Sequence, residues 1–213
     1  MTAEEFPAVR ATWTRSAKVY QGLESKLFVT ATLHAPEFRR AFPVAFPEIY
    51  GQGGELTRRE LVDLSGDVES FFTFFVAAFT PVTKWNDFAN ESSIWRLTLI
   101  GSEEIAVGPA AILPIKVDEN VRAVYPYIGH FDKCYLVRFP LTDPMSRPVI
   151  TEKTRGVTLR IASALGVAEL VWALQLPEGG AAAVEPPPAR EPHGTRDGGA
   201  PQETGANGSE RAP

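Results

Sequence analysis

Between Trp95 and Leu176, four runs place an apolar residue at every second position, and this alternation restricts the fold more than any other feature of the chain. Trp95, Leu97 and Leu99 alternate with Arg96 and Thr98. Tyr135, Val137 and Phe139 alternate with Leu136 and Arg138. Val157, Leu159 and Ile161 alternate with Thr158 and Arg160. Leu170, Trp172, Leu174 and Leu176 lie opposite Glu169, Ala173 and Gln175. Successive side chains on a strand point to opposite faces, so each run reads as a strand with one face on a core.

The same reasoning extends upstream. Leu23, Leu27, Val29 and Leu33 share one parity, with Glu24, Lys26, Thr30, Thr32 and His34 mostly on the other, which predicts a strand from Leu23 to His34. The run from Phe71 to Phe79 fits both helical spacing and a strand buried on both faces; the strand is favoured because Thr80-Pro81 ends it and aromatics crowd both parities. Gly101-Ser102 predicts a two-residue hairpin turn into Glu104–Val107. Pro109 and Pro114 confine the stretch from Ala110 to Lys116 to an edge or bulged strand.

Outside the ambiguous Phe71–Phe79 run, helical spacing is confined to one region. Ala35 to Phe42 reads as a short helix with Pro36 in its first turn, stopped by Pro43 and Pro47. Leu61, Leu64 and Val68 recur at helical spacing behind a capping-box pattern at Thr57 and Glu60, giving a helix from about Thr57 to Glu69. No strand–helix–strand alternation follows, which argues against a doubly wound sheet. The fold expected is mainly β: an antiparallel β-sandwich of the Ig-like kind over residues 1–176, with a helical insertion at about 35–70.

Composition changes abruptly at Pro177. Of the 37 residues from there to Pro213, 21 are Pro, Gly or Ala, and none is Phe, Trp, Tyr, Ile, Leu or Lys. A segment with so little apolar surface to bury has nothing to offset the entropy of ordering, so residues 177–213 are expected to form a disordered tail.

Charge narrows the partners. The formal net charge is -5, and the closest basic pairs, Arg39-Arg40 and Arg58-Arg59, sit beside acids, so no nucleic-acid partner is expected. No run approaches 18 apolar residues, so no membrane span is expected. Glu4 and Glu5 stand where a signal peptide would be basic. The chain as written is expected in the cytoplasm, with the cell envelope as the alternative if Met1 is an internal start. The single cysteine, Cys134, allows no internal disulfide.

His130-Phe131-Asp132-Lys133-Cys134 is the sharpest chemical constellation. Alternate spacing on a strand would give His130, Asp132 and Cys134 one face, where they could bind zinc or form a Cys–His pair for hydrolysis. Against this, Gly129 opens a turn there, and the same parity continues to Arg138 as the wetter face, leaving Phe131 and Tyr135 toward the core. Alternate residues stand about 7 Å apart, so the outer pair would have to span about 14 Å. Only His34 remains as another histidine of the body, and no Gly-x-Ser-x-Gly elbow exists. No metal and no cofactor are expected, and Glu103-Glu104 and Asp118-Glu119 read as solvated turns.

Two aromatic loops are the binding candidates: Trp85, Asn86 and Asp87, followed by Phe88, and Tyr125-Pro126-Tyr127. Exposed Trp or Tyr in a loop can stack on a sugar or anchor a partner protein. Equally, Trp85 and Phe88 could cover the open end of the sandwich while Asn86 and Asp87 bond the turn.

Residues 74–88, Ser93–Leu97 and Tyr135–Pro140 resemble segments of a family of uncharacterised bacterial proteins, some of which are carried as lipoproteins of the cell envelope. The resemblance covers roughly residues 15–176 and implies no activity. As written, the chain departs from the lipoprotein pattern at its start, where the signal and its cysteine would be expected, and an envelope location is the alternative expectation. The function expected is a non-enzymatic binding or scaffolding module that engages another protein through its loop aromatics. The alternative is a hydrolase-type enzyme using His130, Asp132 and Cys134.

Overall fold

The computed structural model describes residues 2–46, 71–101 and 105–174. The helix expected over 57–69, the Glu103-Glu104 turn and the tail lie outside the described residues. Nine strands occur among the described residues: β1 (Thr14–Gln21), β2 (Glu24–Leu33), β3 (Phe71–Phe79), β4 (Arg96–Ile100), β5 (Ala106–Val107), β6 (Ala111–Ile115), β7 (Lys133–Pro140), β8 (Gly156–Ser163) and β9 (Gly166–Ala173). They form a five-stranded sheet in the order β1-β2-β3-β7-β6 and a four-stranded sheet in the order β5-β4-β8-β9. Every pairing is antiparallel. The mainly β, two-sheet architecture is therefore as the alternation predicts.

The alternating residues meet between the sheets. Leu27, Val29, Phe74, Val137 and Phe139 from one sheet pack with Leu97, Leu99, Leu159, Ile161 and Trp172 from the other. The Phe74 and Trp172 rings lie 5.2 Å apart. Trp172 is fully buried, and its indole N–H donates to the Trp13 carbonyl at 2.7 Å. One flank of the sandwich is closed where β1 runs beside β9 and Arg15 Nε donates to the Val171 carbonyl at 3.0 Å. On the opposite side β6 is the edge of its sheet, where Pro114 removes one N–H from the strand.

A third layer was not evident from the alternation. Helices α1 (Phe6–Thr12), α2 (Pro36–Ala45) and α3 (Glu119–Val124) supply a second cluster in which Phe6, Phe38, Phe42, Val124 and Tyr125 pack with Phe75 and Cys134 of the five-stranded sheet. This corrects the expected polarity of β7. Cys134 and Leu136, assigned to a wetter face, are buried to 2% and 3% exposure, whereas Phe131, assigned to the core, is 74% exposed on the preceding turn. Helices cover the face that a two-layer sandwich would leave wet.

Smaller departures have local causes. Leu23 is fully exposed because it shares the tip of the β1–β2 hairpin with Gly22, whose positive φ (62°) suits the first position of a two-residue turn. Asp118 is an N-cap rather than a solvated turn residue: its side chain accepts from the Val121 N–H at 2.8 Å and starts α3. Helix α2 continues through Pro43 to Ala45, its aromatic face held by Phe38 and Phe42. The β4–β5 hairpin forms, but its closing bond runs from the Gly101 N–H to the Ile105 carbonyl, so the connection is longer than two residues.

Candidate functional site

Three separate segments converge at the edge of the five-stranded sheet. The start of β7 brings Asp132, Lys133, Cys134 and Tyr135. The end of β6 and the residues after it bring Pro114, Ile115 and Val117. The loop after β3 brings Asn86, Asp87, Ala89 and Asn90. Together they line a groove of about 550 Å³.

Asn86 organises the convergence. It is buried to 3% exposure, and its side-chain N–H donates to the Ala78 carbonyl at 2.6 Å, which pins the loop to the end of β3. Its own carbonyl accepts from Lys133 Nζ at 2.7 Å and from the Tyr135 hydroxyl at 3.0 Å, which ties the loop to β7. Phe88 then inserts beneath, stacked on Tyr135 at 5.2 Å between ring centres. Asp87 Oδ1 accepts from Ser93 Oγ at 2.8 Å, and Asp132 Oδ2 accepts from the Gly129 N–H at 2.7 Å. Each carboxylate thus spends one oxygen on its own turn.

The residues proposed for chemistry are not brought together. Asp132 and Cys134 line the groove, but His130 is exposed on the turn, its ring edge-on to Phe131 at 5.0 Å. Burial, and secondarily the Asp132 carboxylate, pushes the Cys134 thiol up to about 12, so at neutral pH it is a neutral thiol rather than the thiolate a nucleophile needs. Among the described residues, no group of three or more His, Cys, Asp or Glu side chains could hold a metal.

The binding candidates divide. Asn86 and Asp87 line the groove, and half-buried Trp85 adjoins it in the chain. Tyr125 is not a displayed loop aromatic: it is 1% exposed and stacked face to face on Phe75 at 3.8 Å. Its hydroxyl bonds His34 Nε2 at 2.8 Å, while the half-buried Tyr127 hydroxyl bonds Thr32 Oγ1 at 2.7 Å. Burial raises the pKa of both tyrosines, so both remain neutral members of the helical layer. Ile115, Val117 and Ala89 were not singled out in sequence, since nothing local marks them as lining a shared groove.

Against protein-family models, curated proteins and solved structures, the chain gives no match. Its function therefore has to be read from the groove itself. Among the described residues, no helix is long and apolar enough to cross a membrane.

Proposed function

We propose that this protein is a non-enzymatic binding module that engages a segment of another protein in the groove between the 86–90 loop, the end of β6 and the start of β7. The groove itself carries this reading. Its lining combines apolar surface from Pro114, Ile115, Val117 and Ala89 with polar groups held by internal hydrogen bonds, an arrangement suited to recognition. It also adjoins β6, a sheet edge along which an extended polypeptide can lie. Phe131, 74% exposed two residues before Lys133, provides a large apolar contact near the lining. The hydrolase alternative would need the Cys134 thiolate, which burial disfavours.

Panning a random peptide library displayed on phage against the full chain tests the reading. Enriched peptides should lose binding to Ala89→Tyr, which fills the groove from an exposed position, and should bind Phe131→Ala more weakly. Peptides that bind Ala89→Tyr as well as the natural chain would place recognition elsewhere and refute the assignment.

A further inference from the structure

We propose that this protein carries a second binding surface, distinct from the groove, on which a neutral oligosaccharide chain stacks. Its floor is a row of four aromatic rings that crosses the five-stranded sheet. Tyr20 of β1 lies 5.9 Å from Phe28 of β2, Phe28 lies 6.0 Å from Phe79 of β3, and Phe79 lies 6.4 Å from Phe131 in the turn before β7, all between ring centres. Phe79 shares its parity on β3 with Phe75 and Ala77, which the helical layer buries, yet it is itself only half-buried. The layer therefore stops short of the row. The ends are the most open, with Tyr20 54% and Phe131 74% exposed. Burial in the core does not account for four rings that touch one another at the surface, and contiguous apolar surface in water points to a ligand.

The chemistry of the row selects the ligand. Its steps are close to the repeat of a pyranose chain, and successive rings are tilted by 60°, 40° and 46°, which suits a twisted, soluble chain rather than a flat crystalline one. Polar groups are interleaved with the rings. Lys18 Nζ lies 5.3 Å over the Phe28 ring, and the Ser16 and Thr30 hydroxyls, bonded to each other at 2.8 Å, stand two residues further along the same face of β1 and β2. Lipid tails or an apolar partner would strip these groups of water without replacing it. A sugar meets both demands, because its C–H face lies on the rings while its hydroxyls bond the ammonium and the hydroxyl pair. Charge at this end is mixed rather than clustered. Glu24 pairs with Lys26, Asp132 follows Phe131, Lys133 is turned to the Asn86 carbonyl and Arg122 to the Ile128 carbonyl. Lys18 and exposed Lys84 then stand on separate elements, unlike the clustered cations that a stacked nucleic acid requires.

Isothermal titration calorimetry of the full chain with cellohexaose, xylohexaose, mannohexaose, maltohexaose and chitohexaose tests this, with hexagalacturonate as the acidic arm and phosphatidylcholine vesicles as the lipid arm. At least one neutral hexasaccharide should bind, and salt should leave its affinity unchanged. Tyr20→Ala and Phe131→Ala, at the two open ends of the row, should each weaken it by about tenfold while the urea midpoint stays in place. Tyr20 is the decisive site, since β2 and β3 separate it from the strand that lines the groove. Ala89→Tyr should leave the sugar bound as before. Failure of all five neutral sugars, or binding indifferent to Tyr20→Ala, overturns the inference. Hexagalacturonate binding as tightly as the neutral chains overturns the neutral assignment. Vesicle binding that Tyr20→Ala abolishes, without sugar binding, makes the row a lipid contact instead. Sugar lost in Ala89→Tyr but held by Tyr20→Ala places the ligand in the groove and refutes the second surface. Peptide panning against Ala89→Tyr bears on the groove alone, so the two readings fail separately.

Discussion

Acidification from about pH 7 to about pH 5 adds a proton to the imidazole of an unfolded chain but, at His34, not to that of the folded protein. His34 is 1% exposed at the end of β2. Its ring stacks on Phe38 of α2 at 4.9 Å between centres, Nε2 shares a hydrogen bond with the Tyr125 hydroxyl, and Nδ1 has no partner among the described residues. Burial first, and the Arg39 guanidinium second, push the ring down to about 3 from an ordinary value of 6.5. Between those values the unfolded chain binds one more proton than the folded one, so stability rises with pH across the window. It is complete above the unfolded value and is lost progressively as pH falls toward the folded one. From about pH 7 to about pH 5 the loss from this group is about 2 kcal/mol, or about 4–8 °C of melting temperature in a domain of this size. Urea unfolding followed by tryptophan fluorescence measures it in the natural chain and in His34→Phe, which keeps the stack and cannot titrate. The variant starts less stable, because Tyr125 loses its partner, yet its pH dependence should be shallower by that amount. Parallel pH profiles for the two proteins, or a His34 ring that titrates near 6.5 by NMR, would refute the reasoning.

Trp172→Ala removes a fully buried tryptophan that links the two sheets and leaves the Trp13 carbonyl with the Leu33 N–H alone as donor, so a loss of about 3–5 kcal/mol is expected in equilibrium unfolding; near-natural stability would mean that β9 does not carry the core. Gly166→Ala places a methyl group 2.5 Å from Val19 Cγ1 at a backbone φ of +141°, so it should cost about 1–3 kcal/mol by the same measurement. A neutral effect would mean that β1 does not press on the β8–β9 turn. Cys134 should react with iodoacetamide at neutral pH at least about a hundredfold more slowly in the native chain than in urea, and rapid native labelling would show an accessible thiolate.

Much of the fold was legible because burial on one face writes a period of two. Leu97, Leu159 and Trp172 alternate with solvated neighbours and lie in the core that their alternation predicts. The Phe71–Phe79 run was legible only in part: helical spacing fits it too, and aromatics on both parities with the stop at Thr80-Pro81 favour the central strand, covered on both sides, that is observed. Strand β1 was not. Only Val19 among its residues is buried, and Thr14, Ser16 and Lys18 carry no apolar pattern. Its place is set by pairing with β2 and by Arg15 reaching the Val171 carbonyl, contacts between residues far apart in sequence. Helix α3 announced itself only through Asp118, a single cap whose residue type suits an ordinary turn equally well.

The site was less legible, for a physical reason visible in β7. Alternation within one strand reports that a face is dry or wet, but not what dries it. Cys134 and Leu136 looked wetter because they share a parity with His130, Asp132 and Arg138, yet α1, α2 and α3 cover this face with residues from three distant stretches of chain. That cover buries the Cys134 thiol and keeps it protonated, while the Gly129–Asp132 turn carries His130 out of the strand and into solvent. Spacing that offered a catalytic set is broken by the turn that Gly129 marks in the sequence, while the layer that the sequence did not reveal buries Cys134. The groove is the converse case: Asn86 joins the end of β3 to Lys133 and Tyr135 through its own backbone and side chain, and residues with no shared motif become neighbours. Asp87 and Asp132 look like unrelated turn residues in the chain, and they line one groove only because that asparagine brings their segments together.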